Sequence, residues 1–509
     1  MKKNKKALII VGIAAVLLVG LMLLLIFLPK GGSDDTATYD EGIKMETSVD
    51  ENGVHQVTID TDENGNIENN SYGTLMEYVP ADISEIHLEN DKGTMDITSE
   101  TPVDSDGKTE TTKYTIVGFE DYATQSGMPD EIANSAASIE FKKVATLDKS
   151  RAGEYGFDSP RSTVTVTYND NTKAIITVGN DAPQSAGTYI RFGTGDAIYL
   201  VDTDTVSPFD YGLTDLMSLT INDSASDSDK SQASSITISG SAFSDDIVLE
   251  PNDGGKTSAS YIIKEPVQGH ANESESSKIE GGIRGLYAES VKMVAPSDSQ
   301  LADLGLAEPY AEVRAVYSDT TVDIISSEPD SDGKVYVMLS GGNVVYVMDS
   351  SKVPWVTTSY EKLISEYVLY PKLTALSGLS IELGGETYDF ELSSKTSNTT
   401  DGNGNETSSV ETVIEYDGRE IASEKFSTFY DAVALIELAD AKSDSTSGDP
   451  IVSITYTYES DDSSDTVKYY KTSGDRYAAE LNGTIIGHVH QSAVNRLSAD
   501  VEELIKKAD

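Results

Sequence analysis

Two stretches of this chain carry one pattern at nearly one spacing. The first reads Tyr155-Gly156-Phe157-Asp158-Ser159-Pro160, then Ser162 to Tyr168, then Ala197-Ile198-Tyr199-Leu200-Val201-Asp202 and Val206-Ser207-Pro208-Phe209. The second reads Leu304-Gly305-Leu306-Ala307-Glu308-Pro309, then Glu312 to Tyr317, then Val344-Val345-Tyr346-Val347-Met348-Asp349 and Val353-Pro354-Trp355. Pro160 and Tyr199 are 39 positions apart, and Pro309 and Tyr346 are 37 apart. Insertions between unrelated strands would not preserve that offset, so the chain is a tandem array and its fold must be read as repeats.

The repeat divides the chain. A first module is expected over 75–222, opening with the alternating strand Ile83 to Leu88 and returning through Tyr114 to Val117 after a polar excursion. Pro129-Asp130-Glu131 starts a helix with Ile132, Ala136 and Ile139 on one face. Strands follow at 162–168, 173–178, 188–192 and 197–201, and Asp202 caps a short helix. Residues 223–232, within the Ser/Asp-rich stretch Asp223 to Ser234, form a linker. The second module, 233–371, repeats the order with strands at Ser235 to Ser239 and Tyr261 to Lys264. Its helix is expected to carry Ile279, Ile283, Leu286, Val291 and Val294, and Asp330-Ser331-Asp332-Gly333 is a hairpin turn. A more diverged third module is expected over 372–508. Leu379 to Leu383 and Val410 to Tyr416 are its strands, and Phe426, Phe429, Val433 and Ile436 mark a helical face. A closing helix carries Val494, Leu497, Val501, Leu504 and Ile505. Here Ser447-Gly448-Asp449-Pro450 replaces the hinge that reads Tyr155-Gly156-Phe157 and Leu304-Gly305-Leu306 in the first two modules, yet Pro450 to Gly487 is again 37 positions. Polar tracts at 393–409 and 441–449 read as loops. The fold class is α+β: tandem modules, each a mainly antiparallel sheet with a helix on one face.

Ahead of the modules stand a tail (1–6) with four lysines and the uncharged run Ala7 to Leu28. Twenty-two helical residues span about 33 Å, enough for a hydrocarbon core of roughly 30 Å. Lysines before the run and Asp34, Asp35, Asp40 and Glu41 after it place the N-terminus in the cytoplasm. A cleaved signal peptide is the competing reading, but its apolar core is usually shorter. Residues 31–74 read as a polar stalk with one strand, Val54 to Asp60, between two Asx-Gly turns. The expected location is therefore single-pass in the cell membrane, with the bulk extracytoplasmic on a Gram-positive type of surface.

Charge and composition limit the chemistry. There is no cysteine, which excludes disulfides, thiolate metal sites and lipoprotein anchoring. Residues 1–30 hold five basic residues and no acid, leaving 32 basic against 86 acidic residues in the rest. Nucleic acid needs a basic footprint and is excluded as a partner.

With these residues in view, the chain resembles the bacterial family catalogued as domain of unknown function 4340. The resemblance rests on the N-terminal anchor, the Tyr-Gly-Leu-x-x-Pro type of hinge, strands ending Tyr-Leu-Val or Tyr-Val-Met, and the Pro-aromatic turn. It covers 75–371 by motif and 372–508 by spacing. The first hinge departs from the pattern at Phe157 and the second at Leu304. Members of that family are often encoded beside ABC transporters, so the resemblance implies an envelope partner, most directly an ABC-transporter membrane subunit. It supplies no catalytic residue.

Each candidate motif has a structural reading beside it. Asp60, Asp62, Asn64 and Gly65 fit the first half of a calcium loop, but position twelve is Ser71 rather than Glu, and Asp-x-Asn-Gly is also a hairpin turn. His488 and His490 alternate on one strand as two metal ligands would; His490, however, aligns with Asp202 and Asp349 at a helix-cap position. Gly255-Lys256-Thr257 lacks the first glycine of a phosphate loop. Ser359-Tyr360-Glu361-Lys362 matches S-x-x-K without its companion motifs. Tyr199, Tyr346 and Trp355 recur by module, which favours packing over ligand stacking. The expectation is thus a protein without catalytic, cofactor-binding or metal-ligating residues: a non-enzymatic, membrane-anchored accessory or assembly partner of an ABC transporter or other envelope complex. The alternative is an exported enzyme or binding protein acting on cell-wall polymer.

Overall fold

A computed structural model describes residues 42–506 apart from 104–105, 227–230, 253–254, 401–405, 443–445 and 447. The expected tail (1–6), anchor (7–28) and the start of the stalk (31–41) lie outside the described residues. Among the described residues, no helix is long and apolar enough to cross a membrane.

The repeated proline sets the frame. Two residues after Pro160, Pro309 and Pro450 a strand begins: Ser162–Tyr168, Ala311–Val316 and Val452–Tyr458. Period-two alternation buries Val164 and Val166 in the first, Val313 and Ala315 in the second, and Ile454 and Tyr456 in the third. Ahead of each proline a glycine adopts the left-handed conformation that its missing Cβ permits: Gly156 (φ 91°), Gly305 (φ 70°) and Gly448 (φ 94°). Eight residues after each proline stands a buried tyrosine, Tyr168, Tyr317 or Tyr458. The third module therefore keeps the glycine, proline, strand and tyrosine although its hinge sequence has diverged.

Three nine-stranded antiparallel sheets follow from this frame. The second lies in the order Gly269–His270, Tyr261–Glu265, Ile247–Pro251, Ser235–Ser239, Ala311–Val316, Thr321–Ser326, Lys334–Leu339, Val344–Asp349, Ser290–Val294. In chain order within the module that is 4-3-2-1-6-7-8-9-5. The third sheet has the same order: Arg419–Ile421, Glu406–Tyr416, Glu386–Thr400, Leu376–Leu383, Val452–Tyr458, Ser464–Lys471, Arg476–Leu481, Thr484–His490, Leu438–Asp440. The first sheet runs Lys113–Ile116, Gly93–Glu100, Ile83–Asn90, Ser162–Tyr168, Lys173–Asp181, Thr188–Phe192, Ile198–Val201, Ser138–Thr146, and adds Gly73–Glu77 outside the last. A helix joins the two edges of the sheet in the second and third modules, Glu273–Gly281 and Ser423–Ala434; in the first, Met128–Ala137 joins the edge strand Lys113–Ile116 to Ser138–Thr146, one strand in from the other edge. Tyr199 pairs with Val144 and Tyr346 with Val291, so the two tyrosines occupy one position of the repeat.

Several expectations are corrected. Ile139 is the second residue of the strand Ser138–Thr146, not the end of the preceding helix. The second helix stops at Gly281; Ile283 and Leu286 are buried in the loop beyond it, and Val291 and Val294 belong to the strand Ser290–Val294. Apolar residues met every three or four positions looked helical because loop and edge strand bury theirs at similar intervals. The 393–409 tract is mostly not a loop: Glu386–Thr400 and Glu406–Tyr416 form a long hairpin in register from Phe390↔Tyr416 to Thr400↔Glu406. Beyond Leu392 this ribbon pairs with no third strand among the described residues, so pairing with the rest of the sheet imposes no apolar alternation on it. Residues 42–74 are no free stalk. Their hairpin Met45–Val49/His55–Ile59 rests on the first sheet, where Lys173 N–H donates to the Gly53 carbonyl (2.8 Å) and His55 packs edge-on against Tyr78 and Tyr168.

Candidate functional site

The residues singled out for chemistry are held by local structure. Asp62 accepts the backbone N–H groups of Asn64 and Asn66, both at 2.8 Å, and these hydrogen bonds hold its carboxyl below the usual range. Asp50 and Asp330 make the same pair of bonds in their own turns. The Lys362 ammonium donates to the Thr357 carbonyl, and Ser359 precedes a one-turn helix, Tyr360–Leu363. Asp349 caps its helix by accepting Ser351 N–H at 3.0 Å; Asp202 and His490 stand at the corresponding entries of Thr203–Val206 and Gln491–Lys506. Trp355 and Phe209 are fully buried, and the Trp355 indole donates to Ser326 Oγ at 3.1 Å. These aromatics pack the core, as their recurrence implied.

His488 and His490 part company. His488 is buried, with Nδ1 2.7 Å from Asp440 Oδ1, while His490 is exposed. Arg476 donates to the other oxygen of Asp440. Burial disfavours the Asp440 anion, yet hydrogen bonds from His488, the Lys442 backbone and Arg476 hold its pKa below the ordinary value. These three side chains tie Leu438–Asp440, Arg476–Leu481 and Thr484–His490 together beside a cavity of about 430 Å³ that Lys442, Lys471 and Thr472 also line. The Thr472 hydroxyl donates to the Arg476 carbonyl (2.7 Å), closing the hairpin. Sequence reasoning missed Asp440, because the strand Leu438–Asp440 is only three residues long.

The most regular polar geometry lies where one module meets the next. At the first junction Gln125 N–H donates to the Leu216 carbonyl (2.8 Å) and Ser218 N–H to the Ala123 carbonyl (2.8 Å), stitching the connector to the edge it leaves. The connector then stitches to the edge it reaches: Ala288 N–H to Leu219 (2.8 Å) and Ile221 N–H to Leu286 (2.9 Å). At the second junction the four bonds recur as Asn272 to Leu363 (2.6 Å), Ser365 to His270 (2.8 Å), Leu438 to Glu366 (2.7 Å) and Val368 to Ile436 (3.2 Å). Both connectors read Leu-apolar-Ser, as Leu216-Met217-Ser218 and Leu363-Ile364-Ser365, and their apolar pairs are buried. An antiparallel sheet edge is a row of unmet donors and acceptors, and each connector bonds backbone at or next to two edge strands at once. The expected linker is fastened at its two ends, by the Asn222 side chain, which bonds Ile283 and Leu286, and by Ala233 N–H, which donates to Glu280; between them Asp223, Ser224, Ser226, Ser231 and Gln232 are exposed. Lys256, from the discarded phosphate-loop motif, reaches across the second junction to Asp461 (3.0 Å) and Ser463 (2.6 Å) and lies 4.6 Å from the Tyr458 ring centroid. Its ammonium holds Asp461 down to about 2.

The profile of the family described as "Domain of unknown function (DUF4340)" matches this chain twice, over residues 115–280 and 262–449. The chain belongs to this family. Each DUF4340 match begins in the strand Lys113–Ile116 or Tyr261–Glu265 of one module, crosses a connector and ends within the next module, before the strand that follows its repeated proline. Each matched stretch of this chain therefore contains a junction rather than one whole sheet. No curated protein and no solved structure matches the chain.

Proposed function

We propose that this DUF4340 protein is a non-enzymatic, membrane-anchored extracytoplasmic protein that assembles with an ABC-transporter membrane subunit or another envelope complex. The observation that carries this reading is the use to which its polar side chains are put. Asp62 closes a turn, Asp349 caps a helix and Lys256 bridges two modules. The regular geometry belongs to edge-to-edge assembly, which is the geometry of protein recognition by strand addition. A net charge of -49 keeps such an exterior soluble and leaves recognition to local surface, since salt screens the long-range field beyond about 8 Å. Placement outside the membrane rests on the lysines before Ala7 to Leu28 and the acids after it.

The second reading, action on cell-wall polymer, is favoured by the Asp440–His488 pair beside its cavity, because a carboxylate that orients an imidazole also occurs in hydrolytic sites. Purification of the anchored protein in mild detergent, with mass spectrometry of what accompanies it, separates the two. Recovery with an ABC-transporter subunit, and no wall-polymer hydrolysis sensitive to His488→Gln, is the expected result. Repeated recovery alone, with His488-dependent hydrolysis, would reverse the assignment.

A further inference from the structure

In the first two modules a connector bonds the backbone just before the helix; among the described residues of the third, no segment does. Its corresponding edge is Arg419–Ile421 with Ala422, which leads into the helix Ser423–Ala434. Ile421 pairs inward with Ile414, so antiparallel alternation turns the Glu420 carbonyl and the Ala422 N–H outward. These two groups correspond to the Ala123 carbonyl and Gln125 N–H of the first module, and to the His270 carbonyl and Asn272 N–H of the second. In those modules a connector bonds both groups. Among the described residues, nothing bonds them here.

The reason lies in the last helix. Leu216 and Leu363 stand fourteen residues after the helix-entry residues Asp202 and Asp349, and Leu504-Ile505-Lys506 stands at the same distance from His490. In the third module those fourteen residues are wound into Gln491–Lys506, whose Leu497 and Leu504 are buried. At ~1.5 Å per residue a helix advances less than half as far as extended chain. The apolar pair therefore lies along the final helix, with Leu504 beside Phe429 and Ala432 of the helix Ser423–Ala434, instead of running along the edge.

We infer that the edge formed by Glu420 and Ala422 receives an extended segment of a separate partner protein, of the pattern apolar–apolar–Ser with basic flanks, in the place the connectors take in the first two modules. The two internal connectors supply the apolar-apolar-Ser pattern. The flanks follow from charge: Glu415, Glu420 and Glu424 are exposed around the edge, against Arg419 and Lys425 on the same stretch, on a chain of net charge -49. The same charge opposes a second copy as the occupant, and the two connectors of a copy already cover its own edges. This deepens the partner-binding reading by giving the partner a docking strand.

Ala422→Pro tests the edge with little risk to folding. Ala422 has φ -58° and ψ 123°, which proline adopts, and Ile421 before it is already extended. The change deletes only the outward N–H; Ala422→Ser keeps it. The probe is a fluorescent peptide with the sequence of residues 360–371 carrying Glu361→Lys and Glu366→Lys, titrated against the full-length protein in detergent. Saturable binding is expected, weakened about tenfold by Ala422→Pro, unchanged by Ala422→Ser, and abolished when the peptide carries Leu363→Asp and Ile364→Asp. Absence of binding, or binding indifferent to Ala422→Pro, overturns the proposal. Self-association of the protein that Ala422→Pro abolishes also overturns it, with a second copy as the occupant. The functional reading fails separately: if the peptide binds through Ala422 but no envelope protein co-purifies, the edge stands and the assembly role falls.

Discussion

Replacing the hinge glycines by alanine tests whether the three modules share one backbone frame. Gly156, Gly305 and Gly448 all have φ between 70° and 94°. Forcing a Cβ into that region costs about 1–2 kcal/mol, offset by about 0.4–1 kcal/mol because alanine restricts the unfolded chain more than glycine does. The surroundings then separate the sites. A Cβ at Gly448 meets nothing within 4 Å, and one at Gly305 comes no nearer than 3.8 Å to Ser327. A Cβ at Gly156 would lie 2.5 Å from Asn180 Oδ1 and 2.8 Å from the Asn180 backbone nitrogen, so a strand must move. Gly305→Ala and Gly448→Ala should each cost about 1 kcal/mol, and Gly156→Ala about 2–4 kcal/mol once overpacking is added. The single tryptophan, Trp355, lies buried in the second module and reports that module alone by fluorescence. With a urea dependence of about 1–3 kcal/mol/M, Gly305→Ala should lower the fluorescence midpoint by roughly 0.3–1 M. Gly156→Ala should act mainly on the far-ultraviolet circular dichroism transition, and by more. No loss at Gly305 or Gly448 would refute the shared frame, and a loss at Gly156 no larger than theirs would refute the clash with Asn180.

Two further outcomes follow from side-chain contacts. Trp355→Phe strands the buried Ser326 hydroxyl and shrinks the ring, for a loss of about 2–3 kcal/mol, but combined with Ser326→Ala the total should fall short of the sum by about 1 kcal/mol; strict additivity in urea melts would argue against the 3.1 Å bond. The His87 imidazole hydrogen-bonds Asp96 and then Glu89, which raises its pKa above the ordinary 6.5, so its contribution is complete below that value and fades as pH rises through the folded pKa. His87→Gln should therefore lower stability at pH 5.5 by less than about 1 kcal/mol, given its solvent screening, and leave it unchanged at pH 9; a loss confined to alkaline pH would contradict the assignment.

Much of the repeat was legible because proline, glycine and alternating apolar residues act locally. Pro160 and Pro309 announce their strands within two residues, and the Pro450–Gly487 spacing pointed to the third. The Pro-to-Tyr interval of eight positions, ending at Tyr458 in the third module, was available in the sequence as a further signal. Gly93–Glu100 and Ile247–Pro251 went unread, the first because Thr and Asp alternate with only two large apolar residues, the second because polar loops surround it. The helix drawn too long past Gly281 shows the limit of periodicity: burial every few residues is shared by helices, loops and edge strands.

The sequence by itself determined the modular plan, the positions of the hinges, the buried aromatics and the acidic exterior, since each depends on residues close along the chain. Only the tertiary structure decided how the sheets are closed. Hydrogen bonds such as Ser218 to Ala123 and Ser365 to His270 join backbone groups about ninety-five residues apart, and backbone groups carry no residue identity to read. The same holds for the edge at Glu420 and Ala422. Leu504-Ile505 copies the apolar pair of the connectors, with Lys506 where they have serine, yet winding those residues into the final helix keeps them off the edge that their counterparts cover.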